Sequence, residues 1–199
     1  ENCHADQLGE RLSKIVLVVF NYDRCIEHFL FHAIQNYYKI SADKAALALK
    51  SLAIFHPYGS VGTLPWQGGS DSIAYGSEPN WVQLFDLSQS IKTFTEGTDE
   101  DSSDIKDIRA SVESALLMVF LGFAFHRLNL ALLKPKAPHT SPYAVKYYGT
   151  AFGISRGDCE FIKGSLQNLA GASDTNITLE HDQKCAPFFI EHWHRLSLG

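Results

Sequence analysis

Residues 14–20, KIVLVVF, form an unbroken apolar run rich in β-branched side chains, the pattern of a strand buried on both faces in a parallel sheet. From Asp23 the period changes. Ile26, Phe29, Leu30, Ala33, Ile34 and Tyr37 recur at helical spacing and predict one apolar stripe on a helix. Ser41, in SADK, offers an N-cap to a second helix reaching Leu49. SLAIF at 51–55 reads as a second short strand, and it runs into the Gly- and Pro-rich loop HPYGSVGTLPWQGGSD.

Further along, a helix is expected around 84–95. The acidic segment 96–104, EGTDEDSSD, is expected to be a solvated surface loop. A helix over 105–115 leads into the strand LLMVFLGF, and a short helix follows to Leu133. YAVKYYGTAF reads as a strand, Ser155 as the N-cap of the next helix, TNITL as a last strand and 187–198 as a closing helix. Strands alternating with helices predict an α/β fold with a mostly parallel sheet and helices on both faces. In such sheets ligands sit beyond the carboxyl ends of the strands. Three of those ends carry unusual sequence: FNYD, FHPYGS and LGFAF.

A chain of 199 residues suits a single domain over 1–199. The net charge of −5 argues against a duplex nucleic-acid binder, which normally carries a basic face, and no basic segment suggests a membrane surface. The longest apolar run, Ala115–Phe125, is shorter than the roughly 20 residues needed to span a bilayer. Cys3, Cys25, Cys159 and Cys185 are scattered, with no C-x-x-C pair. They read as reduced, mostly buried thiols in a cytoplasmic protein, with no metal site. The chain starts at Glu1 and reads as the C-terminal part of a longer domain.

Candidate chemistry gathers at the strand ends. Asn21 and Asp23 follow the first strand and His56 the second. Asn and Asp are favoured helix caps and turn formers, so they either cap the next helix or hold a ligand. A neutral imidazole at His56 could accept a proton near physiological pH. Gly59, Gly62, Gly68 and Gly69 allow close backbone approach to a ligand, or merely tight turning. Glu27, His28 and His32 place two imidazoles at i, i+4 on one helix; without a third ligand they read as flanking histidines rather than a metal site. In EHWHRL, Trp193 is expected to dock the last helix, with His192 and His194 beside it.

The ordered set FNYD, HPYGS and LGF resembles SIR2-like (sirtuin-related) NAD-consuming domains over residues 14–134. That resemblance implies a three-layer, Rossmann-like fold and cleavage of the nicotinamide–ribose bond of NAD, in bacteria often in antiphage defence. It implies catalytic roles for Asn21, which would contact the nicotinamide-side ribose or place the attacking water, and His56, the general base toward a ribose hydroxyl or the water. Asp23, Gly59, Ser60, Gly122 and Phe123 would bind the cofactor, with no metal. NAD or a related nucleotide is the implied ligand, and a second copy or an upstream segment the implied protein partner. A strand–Gly-rich–helix unit, the family's pyrophosphate cradle, does not precede residue 14. The chain alone is therefore expected to bind NAD weakly or not at all, and a degenerate module that binds a nucleotide or a protein without turnover is the alternative. Pro57 and Tyr58 also separate His56 from Gly59 where the family has a His-Gly pair.

Overall fold

The β-branched residues of the first run and the residues after Leu52 pair as two short strands in the computed structural model, which describes residues 3–69, 72–92, 103–136, 145–170 and 176–197. The chain divides into two compact units, Glu1–Ile105 and Lys106–Gly199. The single continuous sheet expected from the sequence is replaced, among the described residues, by two small parallel sheets of two and three strands. The architecture is mixed α/β.

In the first unit, a short 3-10 turn (Ala5–Gln7) and α1 (Leu8–Leu12) lead into β1 (Val16–Val18). Then come α2 (Cys25–Tyr38), α3 (Ala42–Leu49), β2 (Ala53–Phe55) and α4 (Trp81–Ser90). β1 and β2 run parallel with Val16 opposite Ala53 and Val18 opposite Phe55, and the Val19 N–H donating to the Phe55 carbonyl extends the pairing. A parallel pair requires a crossover, and α2 and α3 supply it. Val16 is exposed and its two successors are half-buried, so β1 is not the doubly buried strand that its composition suggested. The core of this unit is Leu8, Ile34, Ala45, Leu49 and Leu52. As expected, the Ser41 Oγ accepts from the Lys44 N–H and caps α3.

The inward face of α2 is rotated from the expected stripe. Ile34 is buried and Leu30 packs against the core, yet Phe29 and Tyr37 are exposed. Glu27 takes the remaining inward position, buried to 4% exposure. The carboxylate has a partner inside, so the face that turns inward is not the most apolar one.

In the second unit, α5 (Ser103–Ser114), β3 (Leu117–Phe120), α6 (Arg127–Leu133), β4 (Lys146–Thr150), α7 (Arg156–Ala170) and β5 (Ile177–Glu180) follow in order. The strands lie β3-β4-β5, all parallel, with Phe120 opposite Gly149 and Thr150 opposite Glu180. α5 starts at Ser103, so Ser103 and Asp104 of the expected acidic loop are helical; residues 96–102 lie outside the described residues. The central strand is buried along four of its five residues, as expected of a strand flanked on both edges. Ser155 caps α7, accepting from the Asp158 N–H and donating to the Asp158 carboxylate.

α8 (Cys185–Glu191) and α9 (Trp193–Leu196) close the chain. Here His192, not Trp193, is the anchor. His192 is 5% exposed and pairs with the Glu180 carboxylate at 3.1 Å, while Trp193 stays about half exposed. The four cysteines are free thiols; Cys159 is buried and Cys25 exposed. Among the described residues no helix is long and apolar enough to cross a membrane.

Tyr147, at the centre of β4, is fully buried, and its hydroxyl has no hydrogen-bond partner among the described residues. Burial pushes its phenol pKa up to about 12. An orphaned buried hydroxyl costs stability that an isosteric apolar ring does not. Tyr147→Phe is expected to raise unfolding stability by about 1 kcal/mol, read from the urea midpoint at unchanged m-value.

Candidate functional site

The carboxyl ends of β1 and β2 are adjacent because their strands pair in register, and the two following loops are fastened to each other. The Val61 N–H donates to the Tyr22 carbonyl, and the Nδ1–H of His56 donates to the Asn21 carbonyl at 3.0 Å. HPYG forms a β-turn, with the Gly59 N–H donating to the His56 carbonyl. Pro at the second position and Gly at the fourth suit such a turn. The Pro57-Tyr58 insertion is thus absorbed in the turn, with Tyr58 buried edge-on to Phe20.

On its other side, His56 Nε2 lies 2.7 Å from Glu27 Oε1, with the two side chains only 11% and 5% exposed. A carbonyl oxygen can only accept, so Nδ1 carries hydrogen. One further proton then lies on the line between Nε2 and Oε1. The arrangement is either imidazolium with carboxylate, or neutral imidazole with carboxylic acid. Burial pulls the imidazole pKa down, but the hydrogen bonds to Glu27 and the Asn21 carbonyl, with the charges of Glu27 and Asp23, raise it above 6.5 overall. The charged pair is therefore the favoured form at moderately acidic pH.

Asp23 caps α2: its Oδ1 accepts from the Cys25 N–H at 3.0 Å, and this backbone hydrogen bond holds its carboxyl below the ordinary range. Arg24, 8% exposed, donates from Nη1 to the carbonyls of Thr63 and Ile73 at 2.8 and 2.7 Å. Two carboxylates and two cationic side chains thus share the first turn of α2 and the strand ends. The Asn21 side chain is exposed, and the Ser60 hydroxyl, half-buried, is 3.4 Å from the Gly62 carbonyl.

Gly59 is required for packing. Its φ is +80°, and a Cβ there would sit 1.8 Å from the Ser90 carbonyl oxygen at the end of α4. The close approach that its sequence context suggested for a ligand is made by this chain's own backbone. Gly122 and Phe123 lie in the second unit. The Gly122 N–H donates to Thr150 Oγ1 at 2.9 Å, tying the end of β3 to the end of β4, while a Cβ on Gly122 would meet open space. Phe123 packs on Phe120 and Phe125. His126 caps α6 through its ring, 3.4 Å from the Leu128 N–H.

Glu27 and Arg24 escaped the sequence reading as partners of the strand ends. Their signal was positional: Glu27 stands three and seven residues before Leu30 and Ile34, on the face that turns inward. Among the described residues, Glu180, Glu191 and His192 are the one set whose potential metal-ligand atoms lie within 4.8 Å of one another; the pairing of His192 with Glu180 accounts for two of them. Comparison with protein-family models, curated proteins and solved structures returned no match.

With its pKa raised on folding, His56 stabilises the fold fully below about 6.5, and that contribution is lost as pH rises through the folded value. Glu27→Gln is expected to lower the His56 pKa, read by NMR of the ring protons, and to flatten this part of the stability profile. Separately, Gly59→Ala forces a left-handed residue against a carbonyl. It is expected to destabilise the chain by more than about 1 kcal/mol, measured by thermal unfolding.

Proposed function

We propose that this chain is a SIR2-like, NAD-directed domain that hydrolyses the nicotinamide–ribose bond at the carboxyl ends of β1 and β2. The three-layer, Rossmann-like arrangement of that family is part of the proposal. The observation that carries it is the Glu27–His56–Asn21 chain of contacts, an imidazole oriented by a buried carboxylate beside two polar strand-end residues. A base held by a second group is the arrangement that proton transfer requires.

In the reaction the C1′–N bond breaks and its electron pair leaves on the nicotinamide nitrogen. Water forms the new bond to C1′ and loses a proton to His56. The working tautomer keeps hydrogen on Nε2, donated to Glu27, and turns a bare Nδ1 to the water; substrate binding must therefore displace the Asn21 carbonyl from Nδ1. Asn21 orients the water through its side chain, and the ionised Asp23 favours the positive charge that builds on the ribose. One observation favours the reading without turnover: both nitrogens of His56 are engaged by the chain's own acceptors.

Incubation with NAD followed by chromatography separates the two. The hydrolase releases nicotinamide and ADP-ribose. His56→Gln and Asn21→Ala are then each expected to reduce the rate by about a hundredfold or more, with circular dichroism unchanged. Asn21→Ala keeps the backbone carbonyl that positions His56, so its loss reports on the side chain alone. Saturable NAD binding with no product supports the binding module, and neither binding nor product overturns both readings.

A further inference from the structure

Away from the strand ends, α2 and the loop after β2 line an open cavity of about 330 Å³. Five rings form a continuous arc along its wall. Tyr75 stacks on His28, with centroids 4.0 Å apart and planes 9° from parallel. His28 meets His32 edge-on at 4.6 Å, and His32 meets Phe31 edge-on at 5.3 Å. Phe31 stacks on Trp66 at 5.1 Å, with planes 4° apart. Ala74 lies at the lining and is exposed.

The arc is built on rigid parts. His28, Phe31 and His32 stand at i, i+3 and i+4, neighbours on one helix face. Arg24, at the start of that helix, holds the loop by its carbonyls at Thr63 and Ile73, on either side of Trp66. Trp66 is thereby held against α2, and the Tyr75 hydroxyl reaches the Cys25 thiol at 3.1 Å, contacts that lower the ordering cost of binding. The volume falls at the low end of the roughly 300–1,000 Å³ typical of small-ligand sites, the size for one ring system rather than a whole dinucleotide.

The chemistry of the lining is narrow. It is mostly aromatic and apolar surface, with polar capacity at the ring nitrogens of His28 and His32 and at the indole N–H of Trp66, which is buried with no partner among the described residues. Neither imidazole makes a hydrogen bond to any described residue. Such a wall rewards a flat ring that offers a π-face for stacking and a polar edge for an imidazole. An aliphatic chain would leave both imidazoles unmet, and a bare anion would find no fixed cation.

We propose that this cavity seats a planar heteroaromatic ring, of the nucleobase or pyridine-carboxamide class, stacked against the arc with its polar edge toward His28 and His32. The proposal stands on the cavity and does not require the glycosidic chemistry at the strand ends.

The chain contains three tryptophans. With Trp81→Phe and Trp193→Phe, both at exposed positions, Trp66 remains as the sole reporter inside the site. Adenosine and nicotinamide are titrated separately against its fluorescence. Saturable quenching by either probe is expected, and the probe that saturates identifies the ring. Ala74→Phe, which fills the mouth, and Tyr75→Ser, which removes one wall, are each expected to weaken binding by about tenfold or more. Two variants on exposed residues keep the test valid should one of them unfold. Linear quenching by both probes, or saturation that neither variant changes, would overturn the proposal. Neither result bears on nicotinamide release, which is read from NAD products.

Discussion

The contact between His56 and Glu27 is the constraint around which the first unit is organised. A carboxylate and an imidazole this deeply buried cost several kcal/mol each if left alone, so neither is stable inside without the other. Their contact orients α2 about its own axis, because Glu27 has to face the end of β2. That rotation leaves Phe29 and Tyr37 outside and turns His28, Phe31 and His32 toward the loop. One ion pair thus selects which residues of α2 belong to the core, which to the cavity and which to solvent.

The same pair joins three segments far apart in sequence. The imidazole bonds to the backbone after β1, the carboxylate belongs to α2, and the histidine itself ends β2. The second oxygen of Glu27 is buried without a partner among the described residues. An unmet buried acceptor costs stability, so the contact through the other oxygen has to outweigh it. In the second unit, His192 and Glu180 make a related contact between the last strand and the closing helices, and Thr150 ties two strand ends through one hydroxyl.

Much of the local structure was legible in the sequence. Both strands of the first unit, the crossover helices, the Ser41 and Ser155 caps and the three strands of the second unit follow from apolar period and capping chemistry. The misreadings share one cause. Apolar periodicity assigns the inward face of a helix by hydrophobicity, and it cannot see a charge whose partner is supplied by a distant strand. By sequence alone Glu27 therefore groups with its neighbours His28 and His32. In the last helices, ring size favours Trp193 as the anchor, whereas the small amphipathic His192 fits beside Glu180 and Phe188. At Gly59 the group that comes close is the carbonyl of Ser90, thirty-one positions later, which no local pattern encodes.

The guanidinium of Arg24 grips two carbonyl oxygens, at Thr63 and Ile73, with one nitrogen. Anchoring to main chain rather than side chains makes the grip indifferent to what residues 63 and 73 are. What constrains those two positions is their own packing: Ile73 is buried and the Thr63 hydroxyl donates to the Gly68 carbonyl, while the arginine asks only for their carbonyls. Lysine, a compact charge on a shorter and more flexible stem, would lack the flat, preset pair of N–H donors that serves both oxygens at once.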